Sequence, residues 1–129
     1  MSLFPKSSPK QVLIVDDDPD IRQVLQDRLE SLGYLVETAN NALEAALAID
    51  KSLPNGILLD FMLPAIDGLQ VLREARRLYP MLPVVIITAN MEEDFAARAI
   101  AVGADDVVFK PVDNDHLKQV VQRCFGAAR

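Results

Sequence analysis

The chain of 129 residues has no tryptophan, only 5% aromatic residues and a single cysteine, Cys124. With so few rings, its core must be built from Val, Leu, Ile and Ala, the composition typical of α/β domains with buried parallel strands. One cysteine excludes an internal disulfide, and no Cys or His cluster accompanies it that could hold a metal. No apolar run approaches the roughly 18 residues of a membrane span, and residues 1–10 lack the apolar stretch of a signal peptide. We therefore expect a cytoplasmic protein.

Basic residues are also scarce. The 13 Lys and Arg residues are outnumbered by 19 Asp and Glu residues, which leaves a formal net charge of -6. Proteins that hold nucleic acid do so mainly through clustered Lys and Arg side chains on the phosphates. This balance argues against nucleic acid as a direct partner, and no feature of the chain indicates a membrane partner.

The length fits one compact domain. Residues 1–10 contain two prolines and three serines without hydrophobic periodicity, which predicts a flexible lead-in. We expect a single domain over residues 11–126 and a short C-terminal tail over residues 127–129.

Short apolar runs alternate with segments of helical periodicity along this domain. The runs predict buried strands, and their regular alternation with helices predicts a parallel sheet covered by helices on both faces. With five strands, the order 2-1-3-4-5 is the expected topology, and ligands bind at the carboxyl ends of strands one and three. The predicted strands are 12–15, 34–38, 56–59, 83–87 and 107–109, and the predicted helices are 19–32, 42–49, 68–78, 92–102 and 117–125.

Polar residues end four of these strands: Asp16 and Asp17, Asp60, Thr88 and Lys110. In the expected topology they converge on one edge of the sheet. Carboxylates about 4 Å apart repel by about 4 kcal/mol at an effective dielectric of 20, so the cluster requires a cation or raised pKa values. Oxygen ligands at an open site suit Mg²⁺, which prefers few carboxylates with water and phosphate. The cluster is therefore a candidate phosphoryl-transfer site.

An Asp carboxylate can itself attack phosphorus and carry the phosphoryl group. Asp60 is the best candidate for this nucleophile. Thr88 and Lys110 could hold phosphoryl oxygens from one side while a metal neutralises charge from the other.

Four motifs, taken together, resemble the signature of the receiver domains of two-component response regulators. Each is common alone, but their order at the ends of successive strands is specific, and the resemblance covers residues from about 12 to 125. The motifs are VLIVDDDP at 12–19, LLDFMLP at 58–64 with DG at 67–68, ITA at 87–89, and GADD at 103–106 with KP at 110–111.

The resemblance implies that Asp60 accepts a phosphoryl group from a histidine kinase or phosphotransfer protein. Asp17 and Asp60 would bind Mg²⁺ directly together with the backbone carbonyl of Met62, and Asp16 would act partly through water. Such a domain is a signalling switch that catalyses only its own phosphotransfer and slow autodephosphorylation.

On the same resemblance, Thr88 would hydrogen-bond the phosphoryl group, and Lys110 would pair first with Asp60 and then with that group. The Lys110-Pro111 bond resembles the usual cis peptide of the family. Val107 and Pro111 would belong to the region that switches. The output would be a changed binding face for a downstream protein or output domain, with possible homodimerisation through the last two strands and helices.

One position departs from the family pattern. Three residues before the lysine, the family often has Tyr or Phe, whereas this chain has Val107. This chain therefore lacks, at that position, the aromatic ring that in the family swings inward as the threonine moves. Phe109 does not replace the ring, because it lies two residues further along the strand at another depth.

Two other classes of protein share parts of this pattern. A phosphatase of the dehalogenase type would use Asp16 and Asp18, but its motif usually continues with Thr where this chain has Asp20. A flavodoxin-like cofactor binder needs Gly and Ser in the first loop to cradle phosphate, and acids there would repel it. Asp18 is most simply explained as the cap of the helix that begins at Pro19.

Overall fold

The computed structural model describes residues 9–60, 68–89 and 93–128. Its five strands are β1 (Gln11–Val15), β2 (Leu35–Ala39), β3 (Gly56–Asp60), β4 (Val84–Thr88) and β5 (Asp106–Phe109). They alternate with helices α1 (Pro19–Ser31), α2 (Ala42–Lys51), α3 (Gly68–Leu78), α4 (Glu93–Val102) and α5 (Asn114–Phe125). All strands are parallel in the order β2-β1-β3-β4-β5, which confirms the predicted fold.

Two hydrophobic cores lie on opposite faces of the sheet. Helices α1 and α5 cover one face, and α2, α3 and α4 cover the other. Because both faces are covered, every residue of β3 and β4 is buried, as their continuous apolar sequences predict. Within the described ranges, no helix is long and apolar enough to cross a membrane.

The helix boundaries follow from capping side chains. Asp18 accepts hydrogen bonds from the backbone N–H groups of Asp20 and Ile21, so α1 begins at Pro19 as predicted. Helix α5 begins three residues before the predicted start at 117, because the Asp113 side chain accepts from the His116 N–H and caps an additional turn.

The amino edge of the sheet is closed by contacts between the two ends of the domain. The backbone N–H of Lys10 donates to the Ala128 carbonyl at 2.8 Å, and its ammonium donates to the Phe125 carbonyl at 2.8 Å. The Tyr34 hydroxyl donates to the Gly126 carbonyl. Ala128, within the segment predicted as a tail, is buried against the core under α1 and α5.

Arg76 joins two loops at the same edge. Its guanidinium donates to the carbonyls of Pro80, Leu82 and Gly103 at 2.7 to 2.8 Å and pairs with Asp105 at 3.3 Å. A planar fork with five donors can make several such bonds at once, which a lysine could not do in the same geometry. The amino edge is therefore held by specific hydrogen bonds as well as by packing.

Close approach of β3 to α5 explains the glycine at the start of β3. A Cβ atom at Gly56 would lie 2.3 Å from Cδ1 of Phe125, closer than atoms pack. We expect Gly56→Ala to lower the free energy of unfolding by about 1–3 kcal/mol in urea denaturation, through overpacking.

The matched control is Phe125→Leu, which shortens the opposing side chain. Since the two changes act on one contact, the double variant should lose less stability than the sum of the single losses. Additive losses would show that the ring does not limit the size of the residue at 56.

Candidate functional site

Asp16 and Asp60 meet at the carboxyl ends of two neighbouring strands. Val15 and Leu59 are register partners in β1 and β3, so the acids that follow them come side by side. Asp16 is 1% exposed and Asp60 4% exposed, whereas Asp17 is exposed. One carboxylate oxygen from each of the three lies within 4.8 Å of the others. The fold thus brings together the three acids that the sequence predicts to form the site.

Lys110 supplies the cation that faces this cluster. Its Nζ lies 3.4 Å from Oδ2 of Asp60 and 4.0 Å from Oδ2 of Asp16. Its backbone N–H donates to the Thr88 carbonyl at 2.8 Å, which joins the ends of β4 and β5. One ammonium facing three carboxylates leaves an excess of negative charge that favours a bound cation.

Asp16 carries the electrostatic cost of this arrangement. Burial raises its pKa from 3.8 to about 6, and the charge of Asp60 adds to the rise. The Asp18 N–H, which donates to Asp16 Oδ1 at 2.9 Å, and the Lys110 charge both oppose it. The buried Oδ2 of Asp16 accepts no hydrogen bond. A buried acceptor without a donor is costly, and a bound cation or its water would satisfy it.

Thr88 completes the described part of the site. Asp60 pairs in register with Ile87, so Thr88 ends β4 one residue beyond it, and its side chain is fully buried. The Lys110-Pro111 peptide is cis, as the resemblance implies.

The two strand positions that bear on switching lie in different environments. Val107 is buried in the core beneath α2, α3 and α4. Phe109 lies at the surface. Met62, which the resemblance assigns as a carbonyl ligand, lies outside the described residues.

Arg22 belongs to the surroundings of the site and was not identified from the sequence. It lies in the first turns of α1, and its Nη1 donates to the backbone carbonyl of Asp16 at 2.8 Å. A cation near a helix amino terminus is disfavoured by the helix dipole, which is the only sequence signal of an unusual role. The contact helps to fix the loop between β1 and α1.

Three carboxylates, an ammonium and a buried threonine thus lie together at the carboxyl edge of the sheet. A comparison with known families agrees with it: the family model described as the response regulator receiver domain matches residues 12–122. The DNA-binding transcriptional regulator NtrC of Escherichia coli is 38% identical over 115 residues, which cover 89% of this chain and 24% of NtrC. PhoP of Bacillus subtilis, the alkaline phosphatase synthesis regulator, is 37% identical over 123 residues, covering 92% of this chain and 51% of PhoP.

Solved structures agree as well. The receiver domain of NtrX from Brucella abortus superposes with a TM-score of 0.84 at 36% identity, covering 88% of this chain and 97% of that one. The chemotaxis protein CheY4 of Vibrio cholerae gives 0.85 at 29% identity, covering 91% and 99%. This chain therefore covers about a quarter of the length of NtrC and about half of that of PhoP, but nearly all of the two solved chains. The comparisons do not support a dehalogenase-type phosphatase, and the chain belongs to the response-regulator receiver family.

Proposed function

We propose that Asp60 is the phosphoacceptor of this receiver domain and that a histidine kinase or phosphotransfer protein supplies the phosphoryl group. The observation that supports this best is the position of Asp60. Its nearly buried carboxylate ends β3 at 3.4 Å from the Lys110 ammonium and within 4.8 Å of two further carboxylates. A carboxylate in this position can act as a nucleophile on phosphorus while its neighbours hold the incoming charge.

In the transfer step, a carboxylate oxygen of Asp60 forms a bond to phosphorus as the bond between phosphorus and the donor breaks. The electron pair of the broken bond leaves with the donor. Lys110 then exchanges its contact with Asp60 for one with a phosphoryl oxygen, and the Thr88 hydroxyl donates to another. Both groups already lie at the ends of neighbouring strands, joined through the Thr88 carbonyl.

The same site is proposed to hold Mg²⁺. Asp17 and Asp60 would be direct ligands with the Met62 carbonyl, and Asp16 would bind partly through water. The unsatisfied buried oxygen of Asp16 and the excess of carboxylates both fit a hard divalent cation. When bound, Mg²⁺ would neutralise charge on the phosphoryl oxygens.

We infer a cytoplasmic switch, not a turnover enzyme, that acts on a downstream protein or an output domain. The long relatives are regulators, and NtrC is named as binding DNA, but the charge of -6 makes direct DNA contact by this chain unfavourable. Homodimerisation through β4, β5, α4 and α5 is the predicted self-association.

The phosphoacceptor is tested by incubating the protein with acetyl phosphate and Mg²⁺. We expect a mass increase of about 80 Da, one phosphoryl group, on the parent and none on Asp60→Asn. Asp50→Asn, the same change on the exposed face of α2, should be modified like the parent. An adduct that persists in Asp60→Asn would place the nucleophile elsewhere.

The raised pKa of Asp16 makes stability depend on pH. Because the folded state binds the proton more tightly than the unfolded state, stability falls as pH rises from about 4 to about 6. Above about pH 6, where Asp16 is ionised in both states, its raised pKa lowers the free energy of unfolding by roughly 3 kcal/mol. In Mg²⁺-free buffer, Asp16→Asn should therefore be more stable than the parent at pH 7, and its advantage should shrink towards pH 4.

Urea denaturation at several pH values measures this effect, with Asp18→Asn as the control, since Asn caps a helix about as well as Asp. Adding Mg²⁺ should stabilise the parent, by about 2.7 kcal/mol at 100 times the dissociation constant. Asp17→Asn should lose most of that gain. Equal stabilisation of Asp17→Asn would contradict the metal assignment.

We expect signal output to depend on Thr88 more than on Val107, the position that is often aromatic in the family. A phosphoryl group adds about -1.5 to -2 charge, which should draw Thr88 and Lys110 inward. The loops after β4 and β5, including Pro111, would then change together with α4. In hydrogen exchange with beryllofluoride, residues 93–109 should change protection in the parent and in Val107→Ala but not in Thr88→Ala. Changes confined to the Asp60 loop would contradict this route.

A further inference from the structure

Arg28, in the last turn of α1, reaches the loop that follows Lys110. Its Nη1 donates to the backbone carbonyl of Val112 at 3.0 Å, although the two residues lie 84 positions apart in the chain. A basic residue near the carboxyl end of a helix is often explained by the helix dipole alone. The dipole does not require a bond to another element, whereas this guanidinium donates outside its own helix. The contact therefore joins α1 to the loop between β5 and α5.

The backbone around Lys110 is held at two points. The N–H of Lys110 donates to the Thr88 carbonyl at 2.8 Å, and two residues later the Val112 carbonyl accepts from Arg28. Pro111 lies between them, and its ring fixes one of the two soft backbone dihedrals of that residue. A fixed Val112 carbonyl therefore restricts where the backbone of Lys110 can lie.

The packing between α1 and this loop leaves room for movement. The Val112 side chain is only partly buried against the core. An open cleft of about 280 Å³ lies between the two elements, lined by Val24, Leu25 and Arg28 of α1 and by Lys110, Pro111 and Val112. Across the described ranges, Arg28 is the only side chain from another element that hydrogen-bonds to the backbone of residues 111–113. The hydrogen bond from Arg28 therefore limits a movement that the packing allows.

The position of Lys110 decides what its charge can do at the site. Its Nζ lies 3.4 Å from Oδ2 of Asp60 and 4.0 Å from Oδ2 of Asp16. A lysine ammonium is carried on a flexible four-carbon stem, so it is fixed poorly by its own side chain. Electrostatic stabilisation of a reacting group is strongest when the charge is already in place before the reaction. A fixed backbone at Lys110 supplies part of that preorganisation.

We propose that Arg28 is a positioning residue for Lys110. Through its hydrogen bond to the Val112 carbonyl, Arg28 keeps the Lys110 ammonium beside Asp60, where it can pass to a phosphoryl oxygen. Arg28 acts through the backbone of the loop and not by contact with the acids or the phosphoryl group. The inference rests on the proposed function of Asp60 and Lys110.

The rate of phosphorylation by acetyl phosphate and Mg²⁺ gives the first test. We expect Lys110→Ala to be modified on the order of 100-fold more slowly than the parent, and Arg28→Gln roughly tenfold more slowly. In the double variant, Arg28→Gln should cause no loss beyond that of Lys110→Ala, because Arg28 acts only through Lys110. A general effect of the Arg28 charge or of local damage would persist in the double variant.

Mg²⁺ binding, measured by calorimetry without any phosphoryl donor, gives the second test. The Lys110 ammonium competes with a cation for the Asp60 carboxylate, so a loosened ammonium should permit tighter binding. We expect Arg28→Gln to lower the Mg²⁺ dissociation constant about threefold, and to have no effect in the Lys110→Ala background. Damage to the site would instead raise the dissociation constant.

Arg123→Gln is the matched control, with circular dichroism confirming that every variant is folded. It makes the same substitution on α5, where Arg123 pairs with Asp106 of β5, and it should leave the rate and the Mg²⁺ affinity unchanged.

An Arg28→Gln variant with the parent's rate or the parent's Mg²⁺ affinity would overturn the proposal, as would losses that add to those of Lys110→Ala. If Lys110→Ala is slow and Arg28→Gln is not, this inference alone fails. If Lys110→Ala is modified at the parent's rate, the proposed role of Lys110 fails with it.

Discussion

Two carboxylates, those of Asp16 and Asp60, share one ammonium in a place from which water is almost excluded. Removing a carboxylate from water is costly, and the pKa of Asp16, raised to about 6, shows that Lys110 does not offset the whole cost. The rest of the domain must supply the stability that this edge lacks. The same excess of negative charge favours a bound cation. That cation, together with Lys110 and Thr88, would supply the differential affinity for a phosphoryl group that a switch needs.

The amino edge of the sheet stabilises the fold, whereas the carboxyl edge carries the acidic site. At the amino edge, Arg76 joins the loops before β4 and β5, and Lys10 and Tyr34 bind the end of α5. These hydrogen bonds join the two ends of the domain and the loops before β4 and β5, so this edge stabilises the fold. At the carboxyl edge, the buried Oδ2 of Asp16 accepts no hydrogen bond, and Arg22 donates to the backbone carbonyl of Asp16. Two well-packed cores and a closed amino edge allow the other edge to keep costly charges in position.

The packing of Val107 indicates how a signal would pass from the site to α4. It is buried in the core that also contains Phe95 and Ala99 of α4, and the fully buried ring in that cluster is Phe95. The aromatic volume therefore comes from the helix and not from the strand. A signal that reaches α4 in this chain would pass through the packing around Phe95 and the Thr88 loop, which is why we place the output there.

Hydrophobic periodicity and short crossovers were enough to predict the five alternating strands and helices, their parallel order, and the polar residues at the strand ends. The burial of Asp16 beside the exposed Asp17, and the unsatisfied Oδ2 of Asp16, became evident only in the folded chain. The Arg22 contact and the start of α5 at Asn114 were likewise not predicted from the sequence. Local propensity reflects near neighbours, whereas burial and charge at this site depend on groups far apart in the chain. Lys110 and Asp60 are separated by 50 residues and meet only because β3, β4 and β5 lie side by side.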